Sequence, residues 1–190
     1  MQDALMSFPK PRLLFALLPP TLAVAWAMRW ADSHLKTSEA ACRIAGLDIS
    51  SPVLCFEFAW TIEKADAMLA FWNGRVHFLT FGFGLDFLFL LLYPAISFLF
   101  LRLVAQHSPA HWLKCVAAFW APFVLVSGFF DAVENVCLLR YIFSHRADSL
   151  LKVAGICAGI KFALLAVSGF IILIGVVAMA FEWTKNRSRD

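Results

Sequence analysis

Four apolar runs set the limits on what this chain can fold into. "RLLFALLPPTLAVAWAMRW" covers about residues 12–30, and the others extend from His77 to about Val104, from Trp112 to about Tyr141 and from Leu150 to about Trp183. A helix that crosses a bilayer needs about 20 mostly apolar residues, and the last three runs exceed that length. Their surplus implies tilt or extension past the hydrocarbon. Because no water pairs with peptide groups inside lipid, helices are the structure these runs can adopt there. Composition agrees: 62% of the 190 residues are hydrophobic and 15% charged, too little charge to cover a water-soluble domain. The expected fold is all-α, a polytopic membrane protein. It forms one membrane domain over 1–190, a four-helix transmembrane bundle with one additional extramembrane or interfacial helix.

The first run carries two signals. Lys10, Arg12, an apolar core and "AVAWA" match a secretory signal with a small-residue cleavage site, and Pro19-Pro20 is expected to interrupt the helix. Trp26 and Trp30 at its far end fit an interfacial anchor, which favours a retained helix. Lys10, Arg12, Arg102, Lys114, Lys185, Arg187 and Arg189 fall on one side of the expected bundle, whereas the 31–76 connection is nearly balanced in charge. This distribution puts both termini in the cytoplasm.

Within that connection, Ser51-Pro52 reads as a helix start and Asn73-Gly74 as a stop, giving one interfacial helix over about 52–73. Leu54, Phe58, Ile62, Ala65, Leu69 and Trp72 share one face, Phe56, Trp60, Ala67 and Phe71 the opposite one. Glu57, Glu63, Lys64 and Asp66 are left on the flanks. Such a helix suits a place between bundle and headgroups or an ordinary packed position outside the membrane. Cys42 and Cys55 share the oxidising side and can pair.

Several chemistries are disfavoured. A net charge of +3 without basic-aromatic interleaving gives no sign of nucleic-acid binding. The five Cys (42, 55, 115, 137 and 157) lack metal-ligand spacing, so neither a metal nor a cofactor is expected. His77, His107, His111 and His145 sit at run ends, where solvation explains them. Absence of a nucleophile elbow, HExxH, P-loop or di-iron ExxH weighs against an enzyme without removing that reading.

The informative residues are the polar ones inside the runs. At 100° per residue Ser127, Asp131, Glu134 and Asn135 share one face of the third run, with Gly128 at its edge. Gly82, Asp86, Phe89, Tyr93 and Ser97 make a stripe on the second run, and Ala154, Ala158, Lys161, Leu165 and Ser168 one on the fourth. Measured from the ends nearest the 31–76 connection, Asp86, Lys161, Glu134 and Asp131 lie at depths agreeing within about two helical turns. An unpaired charge at mid-membrane costs about 2.5–3.5 kcal/mol even on the lenient scale. Lys161 offsets one carboxylate, Asp131 or Glu134. The remaining acids call for a protonated carboxyl, a bound cation or a cationic ligand group. Asn135 and Tyr93 are expected to donate hydrogen bonds to the ionised acids. Against this stands the plain reading that buried polar contacts only lock helices together. Gly155-xxx-Gly159 reads as a close-packing spot of the small-xxx-small kind.

The order "FEFA" (56–59), Trp72, "LDFLFLLLY" (85–93) and "DAVEN" (131–135) resembles an uncharacterised family of small bacterial integral membrane proteins. The resemblance implies four membrane helices and a bacterial inner-membrane location. It marks Glu57, Asp86, Tyr93, Asp131, Glu134 and Asn135, and implies no activity.

Asp86, Tyr93, Asp131, Glu134, Asn135 and Lys161 are therefore the candidate ligand-binding cluster. It suits a lipid-like or cationic amphiphile held in the bilayer. The alternatives are an acid-base enzyme of isomerase type on a lipid-soluble substrate, and an assembly or scaffold subunit whose charges meet a second copy or a membrane-complex partner.

Overall fold

The computed structural model describes residues 11–35, 43 and 51–187. Among these, six helices follow in order: α1 (Pro11–His34), α2 (Pro52–Glu57), α3 (Ile62–Phe71), α4 (Val76–His107), α5 (His111–Phe143) and α6 (Asp148–Arg187). The described residues contain no strand. Segments of four helices, Arg12–His34, Val76–His107, His111–Phe143 and Asp148–Lys185, are long and apolar enough to cross a membrane. The all-α, polytopic fold expected from the apolar runs is the one observed.

Short turns make α4, α5 and α6 antiparallel neighbours. The α4–α5 turn is closed by the Ser108 N–H donating to the Val104 carbonyl at 3.0 Å, and the α5–α6 turn by His145 N–H donating to Arg140 at 2.9 Å. The central helix is α5, packed along both α4 and α6, and α1 lies against α4. Most outward Phe side chains are exposed, Phe119, Phe129, Phe170 and Phe181 among them, as a lipid-facing surface requires. Although Pro19 and Pro20 were expected to break it, α1 stays helical through both. Lacking their N–H groups, they leave the Phe15 and Ala16 carbonyls without helical donors.

Two apolar cores fill the bundle. One, at the α2–α3 end, joins Phe56, Met68, Trp72, Phe83, Leu138, Tyr141 and Leu151. The other joins Leu101, Val104, Leu113, Ala117, Ala121, Val124 and Ile171 toward the α4–α5 turn. Between them α5 approaches α4 at Gly128. A Cβ there would lie 2.7 Å from the Leu90 carbonyl oxygen and 3.2 Å from Pro94 Cγ. Pro94 cannot donate to the carbonyl four residues earlier, which is that of Leu90, so the same residue bares the oxygen that Gly128 covers. At the other end Gly175 meets the Val104 side chain, and a Cβ there would overlap it.

Residues 52–73 differ from the single helix that the apolar stripes suggested. The chain forms α2, breaks, and restarts as α3 at the N-cap Thr61, whose Oγ1 accepts from Lys64 N–H at 3.4 Å. Trp60 at the break has φ 61°, a left-handed conformation rare for a bulky residue. Its ring lies about 3.0 Å from where a Cβ on Gly155 would stand. Gly155 thus receives an indole rather than a second helix, and Gly159 meets nothing within 4 Å, so the expected small-xxx-small contact does not form. Asp148 Oδ1 accepts the Ile62 N–H at 2.8 Å, and Asp66 accepts from Tyr141 Oη at 2.7 Å and Arg146 at 2.9 Å. These contacts dock α3 on the α5–α6 turn. The chain then stops as expected, with Gly74 at φ 78°.

Candidate functional site

Each polar stripe faces the bundle interior. Ser127, Asp131, Glu134 and Asn135 of α5 are at most 1% exposed, and Lys161 of α6 is 5% exposed. The helical period that put them on one face also hides them from lipid. Lys161 Nζ donates to Asp131 Oδ1 at 2.9 Å. It lies 2.8 Å from Glu134 Oε2, an ion pair without a well-aligned hydrogen bond. One ammonium therefore serves both acids between which the sequence left its choice open.

Asp86 approaches from α4. Its Oδ2 accepts from Asn135 Nδ2 at 2.9 Å, as expected of that amide. Among the described residues no Lys, Arg or His nitrogen lies within 4.0 Å of Asp86. Tyr93 departs from expectation: its buried hydroxyl makes no hydrogen bond to another described residue. It borders the site without joining the network.

The residue that stripe reasoning put on a flank is Glu57. As the last residue of α2 it turns inward, is 6% exposed, and stands with Oε2 3.9 Å from Lys161 Nζ. That oxygen has no hydrogen-bond donor. The break at Phe58–Thr61 accounts for the difference, because α2 ends early and tips its C-terminal residue toward α6. Only the resemblance, through "FEFA", marked the position. Burial holds the Glu57 carboxyl well above the usual glutamate range; Lys161 counteracts this, and Glu134 and Asp86 add to it.

A cavity of about 370 Å³ opens beside the cluster. Glu57, Asp86, Asp131, Lys161 and Tyr93 form a polar side, while Phe78, Phe83, Phe89, Phe162 and Leu165 form apolar walls. Glu134 and Asn135 are not part of its lining; they stand behind Lys161 and Asp86 and hold them. On α4 the lining runs from Phe78 to Tyr93, about 22 Å at 1.5 Å per residue. Near the C-terminal end of α1, Arg29, Asp32 and Ser51 add a second polar patch, with Ser51 Oγ donating to Asp32 Oδ2 at 3.2 Å. Arg29 and Phe162 are exposed, so the cavity communicates with the surroundings.

Cys55 is buried and disulfide-bonded; Cys42, the partner named from the sequence, lies outside the described residues. Cys115, Cys137 and Cys157 are free thiols. Comparisons with protein-family models, with curated proteins and with solved structures yield no match to this chain.

Four carboxyl groups and one ammonium meet in this space. If every acid were ionised, three negative charges would stay uncompensated inside a low-dielectric interior. Protons, or a cation admitted through the cavity, are what chemistry offers to balance them.

Proposed function

We propose that this integral membrane protein binds a lipid-like amphiphile with a cationic head group. In this reading the head group lies against Asp86, Glu57 and Asp131, and the apolar body along Phe78, Phe83, Phe89 and Phe162. The observation that carries it is the excess of acids at one side of a phenylalanine-walled cavity. A cavity with apolar walls and a few convergent polar groups is the usual form of a small-molecule site. Aromatic faces beside the acids favour a cation further. The six residues that the resemblance to small bacterial membrane proteins marks all line or back this cavity, which supports treating them as one site. We place both termini in the cytoplasm, so that α2, α3 and the Arg29–Asp32–Ser51 patch lie on the opposite side.

Native mass spectrometry from mild detergent tests the proposal, reporting retained lipid directly. Titration with dodecyltrimethylammonium in nanodiscs, with dodecanol as the uncharged control, tests the charge. Binding of the cation alone is expected, and Asp86→Asn with Glu134→Gln should weaken it by about tenfold or more, equivalent to about 1.4 kcal/mol. Unchanged affinity in that double variant would refute the proposal.

A further inference from the structure

Glu57 differs from the other acids of the cluster. Lys161 spends its two short contacts, 2.9 and 2.8 Å, on Asp131 and Glu134, and reaches Glu57 only at 3.9 Å. Asp86 has the Asn135 amide. Glu57 Oε2 has neither a close cation nor a hydrogen-bond donor, yet is buried and borders the cavity. A carboxylate left in that state is unstable, and one proton removes the difficulty.

The groups that face it come from every neighbouring element. Lys161 on α6 favours ionisation, whereas Glu134 on α5 and Asp86 on α4 oppose it. Asp131 on α5 and Tyr93 on α4 border the same space, with Asp32 and Arg29 of α1 at its edge. Burial outweighs the single ammonium, and the neutral acid is the favoured form.

We propose that Glu57 exchanges its proton for the ligand's cation. Before the head group arrives, Glu57 is the neutral acid. When a cationic head group arrives, the O–H bond of the carboxyl breaks, the proton leaves to water, and the carboxylate pairs with the incoming charge. One positive charge enters and one departs, so the net charge of the site is unchanged. The protein is then a proton-linked cation binder, and its affinity depends on pH. This inference rests on the amphiphile reading above and adds a proton to it.

The sign follows from linkage. An acid that keeps its proton in the folded, empty protein withholds binding until that proton leaves, so affinity rises with pH, by about tenfold per unit while Glu57 remains protonated. Stability of the empty protein runs the other way: it falls as pH climbs above the ordinary glutamate range toward Glu57's own.

Dodecyltrimethylammonium is the probe of choice, because its charge is permanent and any proton released comes from the protein. Calorimetric titration of the full chain in nanodiscs, in two buffers of different ionisation enthalpy, should show about one proton released per bound probe. Glu57→Gln should abolish that release and flatten the pH dependence. Infrared difference spectra of the unmodified protein supply a readout that needs no variant. A protonated-carboxyl C=O band should vanish when the probe binds. Binding without proton release, or with release retained in Glu57→Gln, overturns the exchange and leaves the amphiphile reading intact. No binding of the probe at all overturns both.

Discussion

The half of the bundle beside α2 and α3 and the half beside the α4–α5 turn are built from the same three long helices. They differ in what those helices enclose. Toward the turn, Leu101, Val104, Leu113, Ala117, Ala121 and Val124 pack as an apolar core around Ile171. Toward α2, the helices surround one ammonium, four carboxyls and a cavity. The first half holds these helices together with an apolar core and a neutral hydrogen bond, without buried charge. A helix lock therefore does not require the charges of the second half. Their cost in a low-dielectric setting is the physical reason to look there for function.

The comparison is sharpest at Lys161. Removing it in Lys161→Met leaves Asp131 and Glu134 buried with no counter-charge. The expected loss is about 3–5 kcal/mol, the range for breaking one side of a buried ion pair, read by denaturant titration in detergent. Neutralising the partners as well, in Lys161→Met with Asp131→Asn and Glu134→Gln, should restore most of that stability while weakening binding of the cationic probe, which loses Asp131 but keeps Glu57 and Asp86. If Lys161→Met alone is as stable as the unmodified protein, the acids do not depend on it and the contrast between the halves collapses.

Much of this contrast is legible in the sequence. The apolar runs gave the four long helices to within a few residues, because a bilayer-length requirement tolerates little else. Helical periodicity put Asp131, Glu134 and Asn135 on one face, and depth counting brought Asp86 and Lys161 to their level. Glu57 escaped the same reasoning. Periodicity across 52–73 assumes one helix, and the left-handed Trp60 resets the phase after only six residues. A single backbone angle, fitted against Gly155, carries no pattern that a stripe can reveal. Tyr93 failed for the converse reason: sharing a face with Asp86 does not give its phenol a hydrogen bond to it.

Glycines test the two halves at the level of packing. Gly128→Ala sets a methyl group against the Leu90 carbonyl, a backbone atom that no side-chain rotation can move. The expected loss is about 1–3 kcal/mol, typical of an overpacked core, and truncating neighbouring side chains should not recover it. Gly175→Ala collides instead with the Val104 side chain. It should cost a similar amount in a thermal unfolding series, but Val104→Ala should rescue it as a coupled double variant. Rescue of both glycines, or of neither, would show that the helices shift as rigid bodies and that the local contacts do not set their spacing.

The smallest effect is expected at Trp120 and Ser168, on the same two helices as the ion cluster but toward the α4–α5 turn. Trp120 Nε1 donates to Ser168 Oγ at 2.9 Å, and that hydroxyl in turn donates to the Leu164 carbonyl at 2.7 Å. Both partners are neutral, so nothing charged is stranded when the contact is lost. The indole is only partly buried, and its N–H keeps some access to other acceptors. Ser168→Ala should therefore cost about 0.6 kcal/mol, the average measured for interhelical hydrogen bonds in a membrane protein. The same denaturant titration that serves for Lys161→Met can resolve it. The ratio between the two variants carries the meaning. A polar contact that only joins helices should behave like Ser168, and a net-acidic site should behave like Lys161. If Ser168→Ala proves as damaging as Lys161→Met, buried polarity in this bundle is structural at both ends, and the acids beside the cavity lose their claim to a separate purpose.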